Sequence, residues 1–391
     1  MTPGHLVRIG PTTLLTDDPD IIRHMNNARS KHAKTDWYTF MRLNPYIDNI
    51  FSERDLAKHD QLRATMEPAN RACQFFTLDV ITDMAFGEPF GYLATDQDLH
   101  GYHTTFAAEA PMISVINSMP TLCRFMNRDF VKKLWGPSTK DEKGIGELMA
   151  MAESTVKKRI ESGKNEQDML GSFLNHGMSV AQAEAEILTQ LSAGTDSNSA
   201  ALRGTLLHIF TSPPAYNKLR AEIDEATRSG RVSPQATAAE VAGLPYLDAC
   251  ICEGMRIWPP FAGLNIKQVN KGGEVIKGKF IPGGTGIATS FWRFQRNPVF
   301  GEDVETFRPE RWLKATSEER ARMEKVNDLV FGYGRWLCLG RQMVVMEMKQ
   351  VIVELLRHFG FSIYSPTNPW TVKSYVFMLI QDMQVTITRR A

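Results

Sequence analysis

The apolar positions of the first fifteen residues fall in two short runs, Leu6-Val7-Arg8-Ile9 and Thr12 to Leu15, separated by Gly10-Pro11. Gly-Pro is turn chemistry, so the runs predict a short β-hairpin. From about residue 56 to residue 258 the spacing changes to that of amphipathic helices. The longest such pattern opens at Ser179, which with Gln182 has the spacing of a capping box. Ala183, Ile187, Leu188, Leu191, Leu202, Leu206 and Phe210 keep helical register until Pro213-Pro214. At 1.5 Å per residue that is a helix of about 45–50 Å, long enough to cross a domain. A second helix is predicted after Pro213, with Leu219 and Ile223 on one face, ending near Gly230. A third runs from Pro245 to about Trp258 and stops at Pro259-Pro260.

Residues 265–290 then turn strand-like, with Asn265 to Val269, Glu274 to Ile276 and Lys279 to Ile281 set off by Gly272-Gly273 and Gly283-Gly284. A last helix is predicted from about Leu339 to His358, with Val344, Met348, Val351, Ile352, Leu355 and Phe359 on its apolar face. The fold class expected from these elements is mainly α with small β-sheets (α+β). No repeat, low-complexity tract or Gly/Ser-rich linker divides residues 1–391, so a single domain is expected.

One turn of the longest helix breaks its pattern. Ser192 to Ser199 reads Ser-Ala-Gly-Thr-Asp-Ser-Asn-Ser, small and polar where core should be. Gly194 alone costs roughly 1 kcal/mol against alanine in a helix interior. Such a turn suits something large lying against the helix. A kink, or a break into two shorter helices, is the alternative.

Composition narrows the class. Hydrophobic residues make up 43% and charged residues 23%, enough for a large core. With 45 basic and 44 acidic residues the net charge is +1, so no global field draws nucleic acid or an acidic partner. The five cysteines, Cys73, Cys123, Cys250, Cys252 and Cys338, are odd in number and form no C-x-x-C. A disulfide framework or zinc ribbon is therefore not expected. Cys250 and Cys252 fall on different faces of the third helix, so they read as small core residues rather than as a metal pair. No apolar run reaches the roughly 18–20 residues of a membrane span, and there is no signal peptide.

The densest chemistry lies at Phe331-Gly332-Tyr333-Gly334-Arg335-Trp336-Leu337-Cys338-Leu339-Gly340. Cys338 sits where the last helix begins, and the helix dipole with its unpaired amides favours a thiolate there. Glycines at 332, 334 and 340 let backbone approach a flat ligand closely. An isolated cysteine after a Gly-rich turn would more often be buried and inert.

Four motifs in order make the chain resemble the cytochrome P-450 superfamily. Phe331, Gly332, Gly334, Cys338 and Gly340 match the haem-binding loop F-G-x-G-x-R-x-C-x-G. The usual arginine two places before the cysteine is Trp336, with Arg335 beside it; an indole N–H donates a hydrogen bond but carries no charge. Glu253-Gly254-Met255-Arg256 matches E-x-x-R, and Arg311 of Pro309-Glu310-Arg311-Trp312 would complete a Glu253–Arg256–Arg311 network behind the haem. Ala193-Gly194-Thr195-Asp196-Ser197 matches A-G-x-D/E-T, with serine for the commoner threonine. His59 and Arg63 match an H-x-x-x-R pair that reaches haem propionates, and Lys267 stands where many members carry another propionate-binding arginine. The match runs from residue 4 to the C-terminus. Residues 79–87 and 203–207 look like filamentous-fungal members of the pisatin-demethylase-like kind.

The resemblance implies the cytochrome P-450 fold, with the long central helix over haem b, whose iron is bound by the Cys338 thiolate. Thiolate ligation favours O–O cleavage. Asp196 and Ser197 would relay protons, and one oxygen atom of O2 would enter a lipophilic small molecule, as in fungal secondary metabolism. Phe261, Leu264 and Phe377 are candidate substrate contacts. Electrons would come from NADPH through NADPH–cytochrome P-450 reductase, with Arg335, Arg341 and Lys349 as candidate docking charges. The protein is expected to be a monomer. Microsomal relatives carry an anchor, a Pro-rich hinge and a first helix, none of which is found here. A full-length form is expected on the cytosolic face of the endoplasmic reticulum, and this chain either as a soluble form or as a truncated gene model. Two alternatives stay open: a haem-thiolate isomerase or dehydratase that does not use O2, and an inactive haem-binding fragment.

Overall fold

The computed structural model describes residues 6–27, 30–42, 46–48, 52–55, 58, 77–95, 99–261, 263–363, 366–367, 369–375, 378–381 and 385–390. The chain opens on the hairpin, β1 (Val7–Gly10) and β2 (Thr13–Thr16), paired antiparallel. Asp18 then caps helix α1 (Pro19–Asn26), accepting from the amides of Asp20 and Ile21. Short β3 (Ala33–Lys34) is followed by helices α2 (Thr77–Phe86), α3 (Tyr102–Ser118) and α4 (Ile145–Ser162).

Helix α5 (Val180–Phe210) runs unbroken for 31 residues, without the expected alternative of two shorter helices. Its Ser179 cap is only half of a capping box. The Ser179 hydroxyl accepts from the Gln182 amide, but the Gln182 side chain donates instead to Asp48 O and to Glu186 Oε1. Helices α6 (Pro213–Arg228) and α7 (Pro245–Ile257) each begin at the proline that sequence marks. Proline suits the first helical turn because its missing N–H would have no partner there. Close to the middle of the α5–α7 contact both helices carry glycine. A Cβ at Gly204 would meet Trp258 Cδ1 at 2.5 Å, and one at Gly254 would meet Thr205 Oγ1 at 2.2 Å.

Strands β4 (Asn265–Gln268), β5 (Glu274–Ile276), β6 (Lys279–Ile281) and β7 (Gly286–Thr289) complete the region around the hairpin. The main sheet has the order β1-β2-β7-β4-β3. In the β3–β4 register Lys34 stands opposite Lys267. After the short helix α8 (Glu310–Lys314) comes helix α9 (Arg341–His358). Phe359, expected on its apolar face, is instead the first residue of strand Phe359–Ile363, and Val353 and Leu356 are buried in the helix.

Two apolar clusters meet across α9. Leu339 and Met343 pack against one, which contains Ile81, Leu188 and Leu191. Val344, Met348 and Ile352 belong to the other, with Ala201 and Leu206. Residues 188 to 206 of α5 therefore lie across the start of α9, with the polar turn between the two clusters. Among the described residues no helix is long and apolar enough to cross a membrane.

Candidate active site

The cysteine loop is closed by its own backbone. The Cys338 amide donates to Phe331 O at 2.7 Å, Trp336 N to Tyr333 O at 3.2 Å and Leu337 N to Gly334 O at 3.1 Å. Gly332 has φ +81°, and a Cβ there would meet Trp336 O at 2.4 Å, so this turn requires glycine. Gly340 is the N-cap of α9, which places Cys338 just before the helix rather than in it. A Cβ on Gly340 would meet only Cys338 Sγ, at 3.9 Å. Cys338 itself is exposed, although the residues after it enter the core. The loop thus presents a sulfur with open space beside it.

Across from the loop, Ala193 is exposed in the middle of α5, between buried Leu191 and Thr195. Ser197, one turn on, shares that face, and its hydroxyl donates to Ala193 O at 2.6 Å. Gly194 also lets a neighbouring helix approach closely. Its Cβ position points at Ile81 Cδ1 of α2, 3.1 Å away, so the glycine accommodates a neighbouring helix. Asp196 is partly buried. Burial is the main reason that its carboxyl is pushed up to about 6, against the Tyr102 hydrogen bond and the Arg203 charge, which both lower it. The Tyr102 hydroxyl donates to Asp196 Oδ2 at 3.3 Å. Asn198 donates through Nδ2 to Glu347 Oε2 of α9, a buried polar link between the two helices that carry the site.

The structure brings Glu253, Arg256 and Arg311 together in the core. Arg256 Nη2 and Nε donate to Glu253 Oε1 and Oε2 at 2.8 and 2.9 Å, and Arg311 Nε donates to Oε1 at 2.9 Å. Trp312 Nε1 and the Arg308 amide add two more donors to the same carboxylate, each at 2.9 Å. Glu253 and Arg256 are fully buried, so this is not the exposed i,i+3 pair that such spacing usually means.

Lys267 is buried on β4 and has no ion pair with any described residue. Burial, then the neighbouring Lys34 charge, press its amine well below its ordinary range. Its Nζ stands 4.0 Å from the centre of the Trp336 ring, and that of Lys34, also buried, stands 4.3 Å from it. Trp336 thus brings its ring against two amines. Like charges opposite one another on a sheet repel. Two buried amines against the cysteine loop therefore suit a ligand that brings carboxylates, as haem does. The chemistry of the donor set fits that group: an exposed thiol, two amines and an apolar surround.

Other expected contacts are distributed as follows. His59, Arg63 and Phe377 lie outside the described residues. Phe331 packs on the second apolar cluster, and Arg335 donates to Ser30 O at 3.4 Å. Phe261 sets its ring against Phe291, 5.2 Å between centres, so that part of it is core. The Met378 amide donates to Pro260 O at 3.1 Å, which brings Pro260 beside the strand Met378–Gln381, and that strand contacts α5. Leu264, just before β4, is half-buried. Lys349 is held by Asp248 at 2.5 Å with little exposure, a poor docking charge. Cys250 and Cys252 pack in different clusters. Sequence reasoning missed Lys34, Tyr102, Asn198 and Glu347. Each acquires its role only by long-range pairing, and no motif marks it.

The family model described as Cytochrome P450 matches residues 44–387. The "Cytochrome P450 monooxygenase ABA1" of Pyricularia oryzae is 38% identical, over 99% of this chain and 85% of its own length. The "Cytochrome P450 monooxygenase aba1" of Botryotinia fuckeliana is 37% identical, over 98% of this chain and 84% of its own. Among solved structures, the "Crystal structure of cytochrome P450DA heme domain" superposes with a TM-score of 0.75 over 99% of this chain and 90% of that one, at 20% identity.

Proposed function

The chain belongs to the cytochrome P450 family and is a monooxygenase of it, and we propose that it oxidises a lipophilic small molecule of fungal secondary metabolism at a haem bound to Cys338. The observation that carries this reading is the exposed Cys338 just ahead of α9, in a loop whose Trp336 ring carries two buried lysine amines. When bound, haem supplies dioxygen activation, and a thiolate ligand favours O–O cleavage. The family generally works with a redox partner; here we read it as NADPH–cytochrome P450 reductase. We read residues 1–391 as one catalytic domain. The finer likeness to pisatin demethylases rests on residues 79–87 and 203–207 alone.

In this reading each residue has a stated task. Cys338 Sγ ligates the iron, kept anionic by the amides at the head of α9. Lys267 and Lys34 hold propionates, supplying from β4 and β3 the charge that Trp336 lacks. The Trp336 ring packs against both amines. Asp196 Oδ2 exchanges a proton near neutral pH because its carboxyl lies close to 6, and the Tyr102 hydroxyl holds it in place. Ser197 Oγ is the next hydroxyl on the exposed face of the same turn. The Glu253–Arg256–Arg311 network fixes α7 against the 303–312 segment and carries no chemistry of its own. Phe261, Leu264 and the strand at Met378 place substrate against α5.

Expression with haem, reduction and exposure to carbon monoxide tests the ligand. A thiolate-ligated spectrum is expected for the wild type and is lost in Cys338→Ala. A nitrogen-ligated spectrum, or no porphyrin uptake, overturns the reading. With a reductase added, oxygen-18 from O2 is expected in the product. Replacing Ser197 by Ala is expected to uncouple NADPH use from product formation.

A further inference from the structure

Beside the main sheet, three metal-ligating side chains converge that no part of the oxidation uses. His24 closes α1, His32 precedes β3 and Glu274 opens β5. His24 Nε2 lies 2.6 Å from Glu274 Oε1, and His32 Nε2 lies 3.1 Å from Glu274 Oε2. One ligand atom from each residue can be taken so that all lie within 4.8 Å of one another. We propose that His24, His32 and Glu274 form a site for one zinc-class divalent cation.

Several observations support this. The His32 side chain is buried, yet its Nε2 makes no hydrogen bond, and neither does Glu274 Oε2. Their 3.1 Å approach is an ion-pair distance without hydrogen-bond alignment, so two buried atoms face a common point. Zinc with bonds of about 2.0–2.1 Å in tetrahedral geometry holds its ligand atoms about 3.3 Å apart. The His32–Glu274 spacing is already close to that value, and the His24–Glu274 spacing has to open by about 0.7 Å.

His32 is oriented from behind. Ser30 Oγ lies 2.7 Å from its Nδ1, the outer-shell contact that leaves Nε2 to the metal. Two histidines and one glutamate, with a fourth position for water, are a common zinc donor set. The cation would clasp α1, the segment before β3 and the β5–β6 hairpin. It would also stiffen the corner next to the cysteine loop, because Arg335 donates to the carbonyl of the same Ser30.

The test uses the haem-loaded protein, washed with chelator and titrated with zinc chloride. One zinc per chain is expected, with a first shell of nitrogen and oxygen by X-ray absorption at the zinc edge. His24→Gln and Glu274→Gln are each expected to weaken binding at least about ten-fold, and Ser30→Ala by up to about ten-fold, with haem content unchanged. Both first-shell variants alter partly exposed side chains, so the fold survives them; retained haem checks this. No retained zinc, sulfur in the first shell, or unaltered affinity in His24→Gln and Glu274→Gln overturns the proposal. Haem ligation by Cys338 is read separately from the carbon monoxide spectrum, so failure here leaves that reading intact.

Discussion

Two buried amines facing each other across neighbouring strands raise the energy of the protein without haem and lower it with haem bound. That asymmetry makes Lys267 testable in both states. Lys267→Met preserves bulk and removes a buried amine that has no ion pair with any described residue. Such replacements of buried charge are often stabilising by about 1–4 kcal/mol. The apoprotein is therefore expected to melt higher than wild type, by a gain at the low end of that range. The holoprotein is expected to lose haem to apomyoglobin about ten-fold faster, equivalent to about 1.4 kcal/mol. A residue that served only packing would move both measurements the same way.

Asp196 obeys the same logic through pH. Its folded carboxyl lies near 6, above the ordinary 3.8, so the fold favours the protonated form. The folded protein then binds more protons than the unfolded chain between about pH 4 and 6. Stability should fall as pH rises through that window, and the full penalty should stand above it. Asp196→Asn is expected to stabilise the protein at pH 7.5 by about 1–2 kcal/mol and to flatten stability between pH 4 and 6, as read by urea denaturation. Turnover should drop, because the amide carries no exchangeable carboxyl proton.

At the scale of elements, the long-range anchors are buried polar contacts and close helix crossings. Glu253→Ala leaves Arg256 buried without its carboxylate and is expected to cost about 3–5 kcal/mol in chemical denaturation. Gly204→Ala puts a methyl group where Trp258 Cδ1 stands 2.5 Å away. Because the indole must shift, a loss of about 1–3 kcal/mol is expected, again from denaturation.

Sequence reads such elements unevenly. Helix α5 was legible from the Ser179 cap, the apolar spacing and Pro213, because each signal lies within the element. The starts of α6 and α7 and the stop of α7 were legible for the same reason, through prolines. Phe359 was misplaced because an apolar residue continues a helical stripe as well as it starts a strand; pairing with Arg389 decides the matter. At Gly194 a small residue signals a close neighbour but not which one; one neighbour is Ile81. The cysteine loop and the E-x-x-R pair were visible as motifs. The charge partner that replaces the missing arginine was not, because Lys34 reaches Lys267 only through the β3–β4 register.

At the scale of the whole molecule, α9 is the element through which the site and the core are linked. Its first turn touches the cluster built on α2, α4 and α5, and its body belongs to the cluster built on α5, α6 and α7. Cys338 lies just ahead of that helix, and Asn198 of α5 is tied to Glu347 within it. A ligand bound at Cys338 and held by lysines of β3 and β4 therefore restrains both clusters and the sheet at once. Binding to the folded state alone stabilises by about 2.7 kcal/mol at a hundred-fold excess over the dissociation constant. Spread over three units through one helix, that gain should make unfolding more cooperative as well as later. Calorimetry of the holoprotein is expected to show one transition. The apoprotein is expected to show a lower, broader one, with the sheet and the cysteine loop exchanging amide hydrogens ahead of α5 and α7. Asn198→Ala should weaken this coupling and leave the haem spectrum unchanged, because it cuts the α5–α9 link without touching the sulfur. If haem raised the melting temperature while amide protection of α5 and α7 stayed the same with and without it, α9 would not be transmitting the restraint.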